Sequence, residues 1–266
     1  MSVNFALPHK VRVTALVLAL IFSGLSVGFI LADNGASKKD NFTLGQLYFN
    51  AEESFWYPYD IEKAEYYYKL ATQEEESVSN DELWYQLGRT HFIQGEFAEA
   101  ITAFETQLEL HGEVRANVYY MLGLTYAFKG KFFNTSYDWR LAEENFEYYV
   151  NTLYPETVFG RIDLAWIYFA QGKYEEMGPM LEIALEYDPR NPWTLNMYGL
   201  YLLNTNNAPG AADHFEQAKL AAAELTKAEW GDVYPGNDPA VWGTGIKEFN
   251  DIINKNLKLA LLAVDS

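Results

Sequence analysis

The 266-residue chain contains no cysteine. That excludes a disulfide framework, a thiol nucleophile and a thiolate metal site, and it leaves the redox compartment open. Basic residues are scarce: 19 Lys and Arg stand against 37 Asp and Glu, for a formal net charge of −18. A surface of that sign repels phosphate backbones, so nucleic acid is not an expected partner. Histidine is scarce as well. His9, His91, His111 and His214 are scattered, with no HExxH or paired-ligand spacing. No phosphate-cradling glycine loop or dinucleotide fingerprint is present. Asp232, Asn237 and Asp238 lack the spacing of a calcium loop. The residues therefore imply no cofactor, no metal and no catalytic group, and the chain reads as a non-enzyme. An enzyme with an unrecognised site is the alternative from another class.

Hydrophobic residues are not scarce: they make up 49% of the chain and aromatics 17%, enough for a continuous core. From Val13 to Ala32 no residue is charged, and about 20 apolar residues can span a bilayer core of about 30 Å as a helix. Lys10 and Arg12 precede this stretch, while Lys38 and Lys39 follow it. The closeness of Arg12 favours a cytoplasmic N-terminus, with the rest of the chain outside the cytoplasm. The expected layout is a cytoplasmic N-terminus over 1–12, a membrane span over 13–32 and a linker over 33–40. Gly24 and Gly28 form a GxxxG pair through which two such helices could associate. The rival reading is a signal peptide cleaved after Ala32, which would leave a secreted binding module or a subunit of a surface assembly.

Beyond the linker one pattern recurs five times. Its clearest copy is Trp84, Leu87, Gly88, His91, Gly95, Phe97, Ala100 and Phe104, and the next is Tyr119, Leu122, Gly123, Tyr126, Gly130, Phe132, Ala142, Phe146 and Pro155. A further copy reads Leu164, Ala165, Tyr168, Gly172, Tyr174, Met177, Leu181, Ala184 and Pro189. Another reads Leu195, Tyr198, Gly199, Leu202, Ala211, Phe215 and Ala218, and a divergent first copy reads Leu44, Gly45, Tyr48, Ala64, Tyr68 and Ala71. A longer duplication overlies the repeats. Phe55, Tyr59, Asp60, Ala64, Glu65 and Tyr68 align with Phe133, Tyr137, Asp138, Ala142, Glu143 and Phe146 at a constant interval of 78. Both copies carry about seven residues more than a repeat of about 34. The insertions, Glu53 to Asp60 and Lys131 to Asp138, read as aromatic-rich turns, with Asp60 and Asp138 as helix N-caps. Such turns serve either to seal the helix tops or as two binding ridges.

The repeated pattern resembles the tetratricopeptide repeat (TPR), a helix-turn-helix unit with a small residue where the paired helices touch. The resemblance implies an all-α fold: a right-handed α-solenoid of about five helix pairs over 41–228, here preceded by one transmembrane helix. Residues 229–245, with two prolines and four glycines, read as a loop. Residues 246–266 read as a capping helix whose apolar face carries Ile246, Phe249, Ile253, Leu257, Ala260, Leu261 and Val264.

In such arrays the first helix of each pair lines a concave groove. The resemblance places Tyr85, Arg89, Phe92 and Ile93 there, followed by Tyr120, Leu124, Ala127 and Phe128. Ile162, Trp166, Phe169 and Ala170 come next, then Asn196, Leu200, Leu203 and Asn204. One arginine among so many aromatics does not make the basic clamp by which some family members hold an acidic peptide end. The expected partner is a protein or peptide offering an apolar or amphipathic segment. Alternatively, the chain's own last helix or tight superhelical packing covers the groove. Function therefore reads as a membrane-anchored interaction scaffold in the cell envelope or outside the cytoplasm.

Overall fold

The computed structural model describes residues 39–50, 58–233, 238 and 241–265. Within them the chain is a succession of antiparallel helix pairs. The first pair is α1 (Asn41–Phe49) and α2 (Ile61–Ala71), and the second is α3 (Leu83–Gln94) and α4 (Phe97–His111). The third is α5 (Asn117–Phe133) and α6 (Ser136–Tyr148), and the fourth is α7 (Val158–Gln171) and α8 (Tyr174–Tyr187). The fifth is α9 (Pro192–Asn204) and α10 (Ala208–Ala222). A short α11 (Lys227–Val233) and a long α12 (Trp242–Val264) complete the chain. Each helix packs on its partner and on the next pair, so the fold is an all-helical solenoid of five repeats.

The small residue of each repeat explains the pairing. At Gly123 a Cβ would stand 2.6 Å from Cδ2 of Phe146, and Gly88 and Gly199 lie as tightly against Phe104 and Phe215. The three rings are fully buried and form the centre of their repeats. In the fourth repeat the same two positions hold Ala165 and Leu181, both fully buried. A larger residue on one helix is matched there by a smaller one on the other, which keeps the packed volume.

The duplication seen in the sequence is also a duplication of contacts. Gln94 Nε2 donates to Glu65 Oε2 at 2.7 Å, tying the second repeat to the first; Gln171 Nε2 donates to Glu143 Oε2 at 2.7 Å, tying the fourth to the third. In the first unit Lys69 bonds Glu65 from one turn along α2, and His91 Nδ1 pairs with Glu96 at 2.6 Å. In the second, Lys173 supplies the cation to Glu143 at 2.6 Å, and Tyr168 donates to Glu147 at 2.9 Å. The lysine and the second glutamate have exchanged places between the two units, so each keeps one cation and two acids.

Three expectations need correction. Asp60 caps α2 as foreseen, its carboxylate accepting from the backbone N–H of Lys63 at 3.0 Å. Asp138 does not cap α6. That helix starts at Ser136 behind Thr135, and the buried Asp138 accepts from the Thr135 hydroxyl and from Lys129 Nζ. The reason is that Lys131–Phe133 form a further turn of α5, closed by Asn134 in the left-handed region (φ 55°), and not an extended turn. Residues 53–57 of the first insertion lie outside the described residues.

Among the described residues, parts of the expected loop over 229–245 are helical: 229–233 end α11 and 242–245 open α12. Two of its glycines seat indole rings: a Cβ at Gly231 would meet Trp242 at 2.6 Å, and one at Gly245 would meet Trp230 at 2.7 Å. Residues that mark a loop by composition serve close packing here, so α11 begins at Lys227 and α12 at Trp242. α12 packs along α10 with Phe249, Ile253, Leu257 and Ala260 buried, and it seals the apolar end of the array. The stretch over 13–32 lies outside the described residues. Among the described residues, no helix is long and apolar enough to cross a membrane.

Candidate protein-docking surface

The residues placed in the groove by the repeat register divide into two sets. Tyr85, Tyr120, Leu124, Ala127, Ile162, Asn196 and Leu200 are buried within the array. Tyr120 packs edge-on against Phe146 and donates its hydroxyl to Asp163 Oδ2 at 2.5 Å. Asn196 accepts from Asn256 Nδ2 of α12 at 3.0 Å, so the capping helix covers the fifth repeat's groove position. Trp193 stacks on Phe249 of α12 at 5.4 Å and meets Trp230 of α11 at 5.8 Å. Arg89 is likewise engaged by its own array. Its guanidinium lies 4.5 Å from the Phe49 ring centre and donates to Gln86 at 3.0 Å, and burial pushes its ionisation below the ordinary arginine value. In repeats two to five, then, much of the predicted groove is filled by the chain itself.

Accessible residues gather at the C-terminal ends of the first helices in repeats two to four. Phe92 of α3 meets Phe128 of α5 edge-on at 5.5 Å, and Phe128 meets Trp166 of α7 at 5.7 Å. Phe97 at the start of α4 stacks on Phe132 at 5.7 Å, and Trp139 of α6 meets Trp166 edge-on at 5.6 Å. Phe169 continues the row beside Tyr174 at 6.1 Å. Phe92, Phe128, Trp139, Trp166 and Phe169 are partly exposed, and Phe132 and Phe133 are 51% and 66% exposed. Lys131 extends its ammonium over this row, 5.9 Å from the Phe128 ring centre and 5.7 Å from that of Trp166. The sequence register found Phe92, Phe128, Trp166 and Phe169. It missed Phe97, Trp139 and Lys131, because the first two sit on second helices and the third on the extra turn of α5. The aromatic enrichment of the insertion was the signal available for that turn.

One buried carboxylate stands behind this face. Burial raises the ionisation of Asp163 to about 7, and the hydrogen bond from Tyr120 opposes that shift without cancelling it. Glu65, His91 and Glu96 bring ligand atoms within 4.8 Å of one another, the spacing of a metal centre. Both oxygens of Glu65 are already taken by Lys69 and Gln94. Burial raises the Glu65 carboxyl, but those two donors and the charge of Lys69 outweigh it and hold the group below its usual range. The trio is a satisfied polar contact between the first two repeats, with His91 in the packed position its place in the repeat implies. Gly24-Leu25-Ser26-Val27-Gly28 has the spacing of a hydrolase nucleophile elbow. It falls inside the uncharged stretch over 13–32, outside the described residues, and an elbow needs a strand-to-helix turn with histidine and acid partners.

Comparison with known proteins agrees with this architecture. Models of the tetratricopeptide repeat match residues 81–111 and 162–226. None of the curated proteins matches significantly. Among solved structures, the chain is similar to MamA from Desulfovibrio magneticus RS-1, at 20% identity and a TM-score of 0.55, covering 69% of this chain and 98% of that one. It is similar to YrrB, described as a TPR protein with an unusual peptide-binding site, at 18% identity and a TM-score of 0.53, covering 69% and 86%. It is also similar to TTC0263, a TPR protein of Thermus thermophilus, at 16% identity and a TM-score of 0.52, covering 69% and 91%. Likeness at these identities establishes the fold, and the five-pair array is a TPR-like solenoid.

Proposed function

We propose that this array of tetratricopeptide repeats is a non-enzymatic scaffold that docks a protein segment on the aromatic row of repeats two to four. The observation that carries the reading is the contrast along the inner face. The C-terminal end of the array is covered by the chain's own Trp193–Phe249 and Asn196–Asn256 contacts. The middle instead leaves a row of aromatic side chains partly open to solvent. Contiguous exposed apolar surface of this kind marks an interaction site, and buried aromatic anchors concentrate the energy of such interfaces. An extended or helical apolar segment fits a row of rings spaced about one repeat apart. YrrB, an array of similar fold, is described as having a peptide-binding site. Trp166→Ala tests the reading. Loss of partner capture by the full-length chain, with an unchanged thermal midpoint, is expected; normal capture by a destabilised variant overturns it, because Trp166 then serves packing alone.

On the same reading the scaffold sits at a membrane, with the repeats outside the cytoplasm. The uncharged length from Val13 to Ala32, with Lys10 and Arg12 before it, supports that placement. Protease added to intact cells or spheroplasts should then degrade the repeats while sparing cytoplasmic controls. Protection until lysis contradicts the orientation. A mature N-terminus at Asp33 would convert the anchored form into the secreted alternative.

A further inference from the structure

The helix that closes the array has an outer side that is not polar throughout. A capping unit normally ends a solenoid with a polar outer face, which keeps it soluble. The last turns of α12 instead leave Leu259, Leu261, Leu262 and Val264 exposed, Leu262 at 59%. Lys255, Leu259 and Leu262 follow one another at i, i+4 and i+7 on the side opposite the buried Ile253, Asn256 and Ala260, with the exposed Lys258 next to them. From Ile252 to Val264 these two lysines are the only charged residues, in a chain whose net charge is −18. The end of α12 is thus a small apolar stripe framed by cations.

A surface of the opposite character lies at the other end of the array. A pocket of about 460 Å³ opens between the start of α1, the end of α2 and the start of α3. Phe42, Ala71 and Leu83 supply its apolar wall, and Asp40, Glu74 and Glu76 supply carboxylates, with no basic side chain in the lining. Asn41 donates to Glu74 at 2.5 Å and so holds that carboxylate in place. Val78, next in the chain to Ser77 of the pocket wall, adds an apolar side chain that is 63% exposed.

We propose that these two surfaces recognise each other in different copies of the chain: the last turns of α12 dock, leucines inward, in the acid-lined pocket of the next copy's first repeat. The occupant follows from charge and shape together. Two copies at −18 repel each other over most of their surface, so contact is favoured where one is locally basic and the other acidic. The pocket has room for the Leu259 and Leu262 side chains, while Lys255 and Lys258 meet its carboxylates. An anionic lipid surface would attract the same lysines but repel the rest of the chain. The contact is heterologous, because each copy offers one surface of each kind. Successive copies therefore assemble head to tail, as an open chain unless the rotation closes it into a ring. Neither surface includes a residue of the aromatic row.

The absence of cysteine makes the contact directly testable. Val78→Cys and Leu261→Cys, at exposed positions beside the two surfaces, are produced together in cells as differently tagged full-length chains and treated with a short bismaleimide. The expected product is a dimer carrying both tags, with at least about tenfold less dimer from either variant alone. A chain with both cysteines should give a ladder of multimers. Lys258→Glu in the Leu261→Cys chain should cut the mixed dimer about tenfold, and Glu76→Lys in the Val78→Cys chain should restore it. Leu261→Cys joining itself as efficiently as it joins Val78→Cys indicates a symmetric contact and overturns the proposal. So does a doubly substituted chain that closes on itself without forming multimers. Absence of the mixed dimer overturns it too, and shielding of Leu261→Cys from a water-soluble maleimide then assigns the stripe to lipid or to a different protein. A mixed dimer unaffected by Lys258→Glu and by Leu262→Glu reflects chance encounter of neighbouring copies and equally overturns it.

Discussion

Gly123→Ala is the smallest perturbation that tests how the repeats are held together. The new methyl would stand 2.6 Å from Cδ2 and 2.7 Å from Cε2 of Phe146, where carbon contacts ordinarily lie at about 3.5–4.0 Å. The ring has to retreat by roughly 1 Å to restore that contact distance. It has little room to do so, because Phe146 is fully buried and Tyr120 packs edge-on against it at 5.4 Å. Overpacking of this kind costs about 1–3 kcal/mol, and the better helix propensity of alanine returns about 1 kcal/mol. The net loss should be about 1 kcal/mol, or a fall of about 2–4 °C in the thermal midpoint for an array of this size. The fourth repeat supplies the complementary change, since Ala165 is matched there by Leu181 in place of a ring. Combining Gly123→Ala with Phe146→Leu should therefore cost less than the sum of the single variants, with a coupling of about 1 kcal/mol. Circular-dichroism melts of the four proteins measure it. An unchanged midpoint in Gly123→Ala, or strict additivity in the cycle, would refute the packing argument.

Asp163 gives a pH dependence of definite sign. Its folded-state ionisation is raised to about 7 by burial, above an unfolded value of about 3.9, so the folded state binds the proton more tightly. Stability should be greatest below about pH 4 for this group and should fall as pH rises to about 7, levelling off above. Asp163→Asn should flatten that slope and melt higher than the wild type at pH 8; identical slopes in the two proteins would contradict it. Asn256→Ala removes the buried donor to Asn196 and should cost about 1–3 kcal/mol, read as a lower denaturant midpoint; no loss would mean that α12 caps the array through its apolar face alone. Truncation before Trp242 uncovers the face of α10 against which α12 packs, and Trp193 of α9 on which Phe249 stacks, and should give aggregation or a lower midpoint. A monomeric fragment melting like the parent would count against the capping role.

The helix pairs were legible because each repeat restates its small residue and a bulky partner, a ring in four of the five, and five copies average out local irregularity. The α5–α6 boundary was not. An insertion rich in aromatics reads as a turn by composition, whereas Lys131–Phe133 extend the helix and Asn134 ends it. The segment after α10 failed for a related reason, since Gly231 and Gly245 make room for indoles, a role that looks the same as chain flexibility in one sequence. Half of the surface was visible in the register, which named Phe92, Phe128, Trp166 and Phe169 in their helices. The register could not separate accessible from filled positions, because coverage of Asn196 by Asn256 depends on a contact between residues 60 apart. Nor could it name Trp139 or Phe97, which reach the face from second helices.

Site-specific photocrosslinking in native cells tests the central claim most directly. A photoreactive phenylalanine analogue is placed at Phe132, which is 51% exposed on the aromatic row, and at Leu220 of α10, which is 69% exposed elsewhere on the array. A defined protein adduct at Phe132, absent at Leu220 and lost on Trp166→Ala, is the predicted result. Adducts of equal strength at both positions, or at Leu220 alone, would contradict a scaffold that docks its partner on the aromatic row.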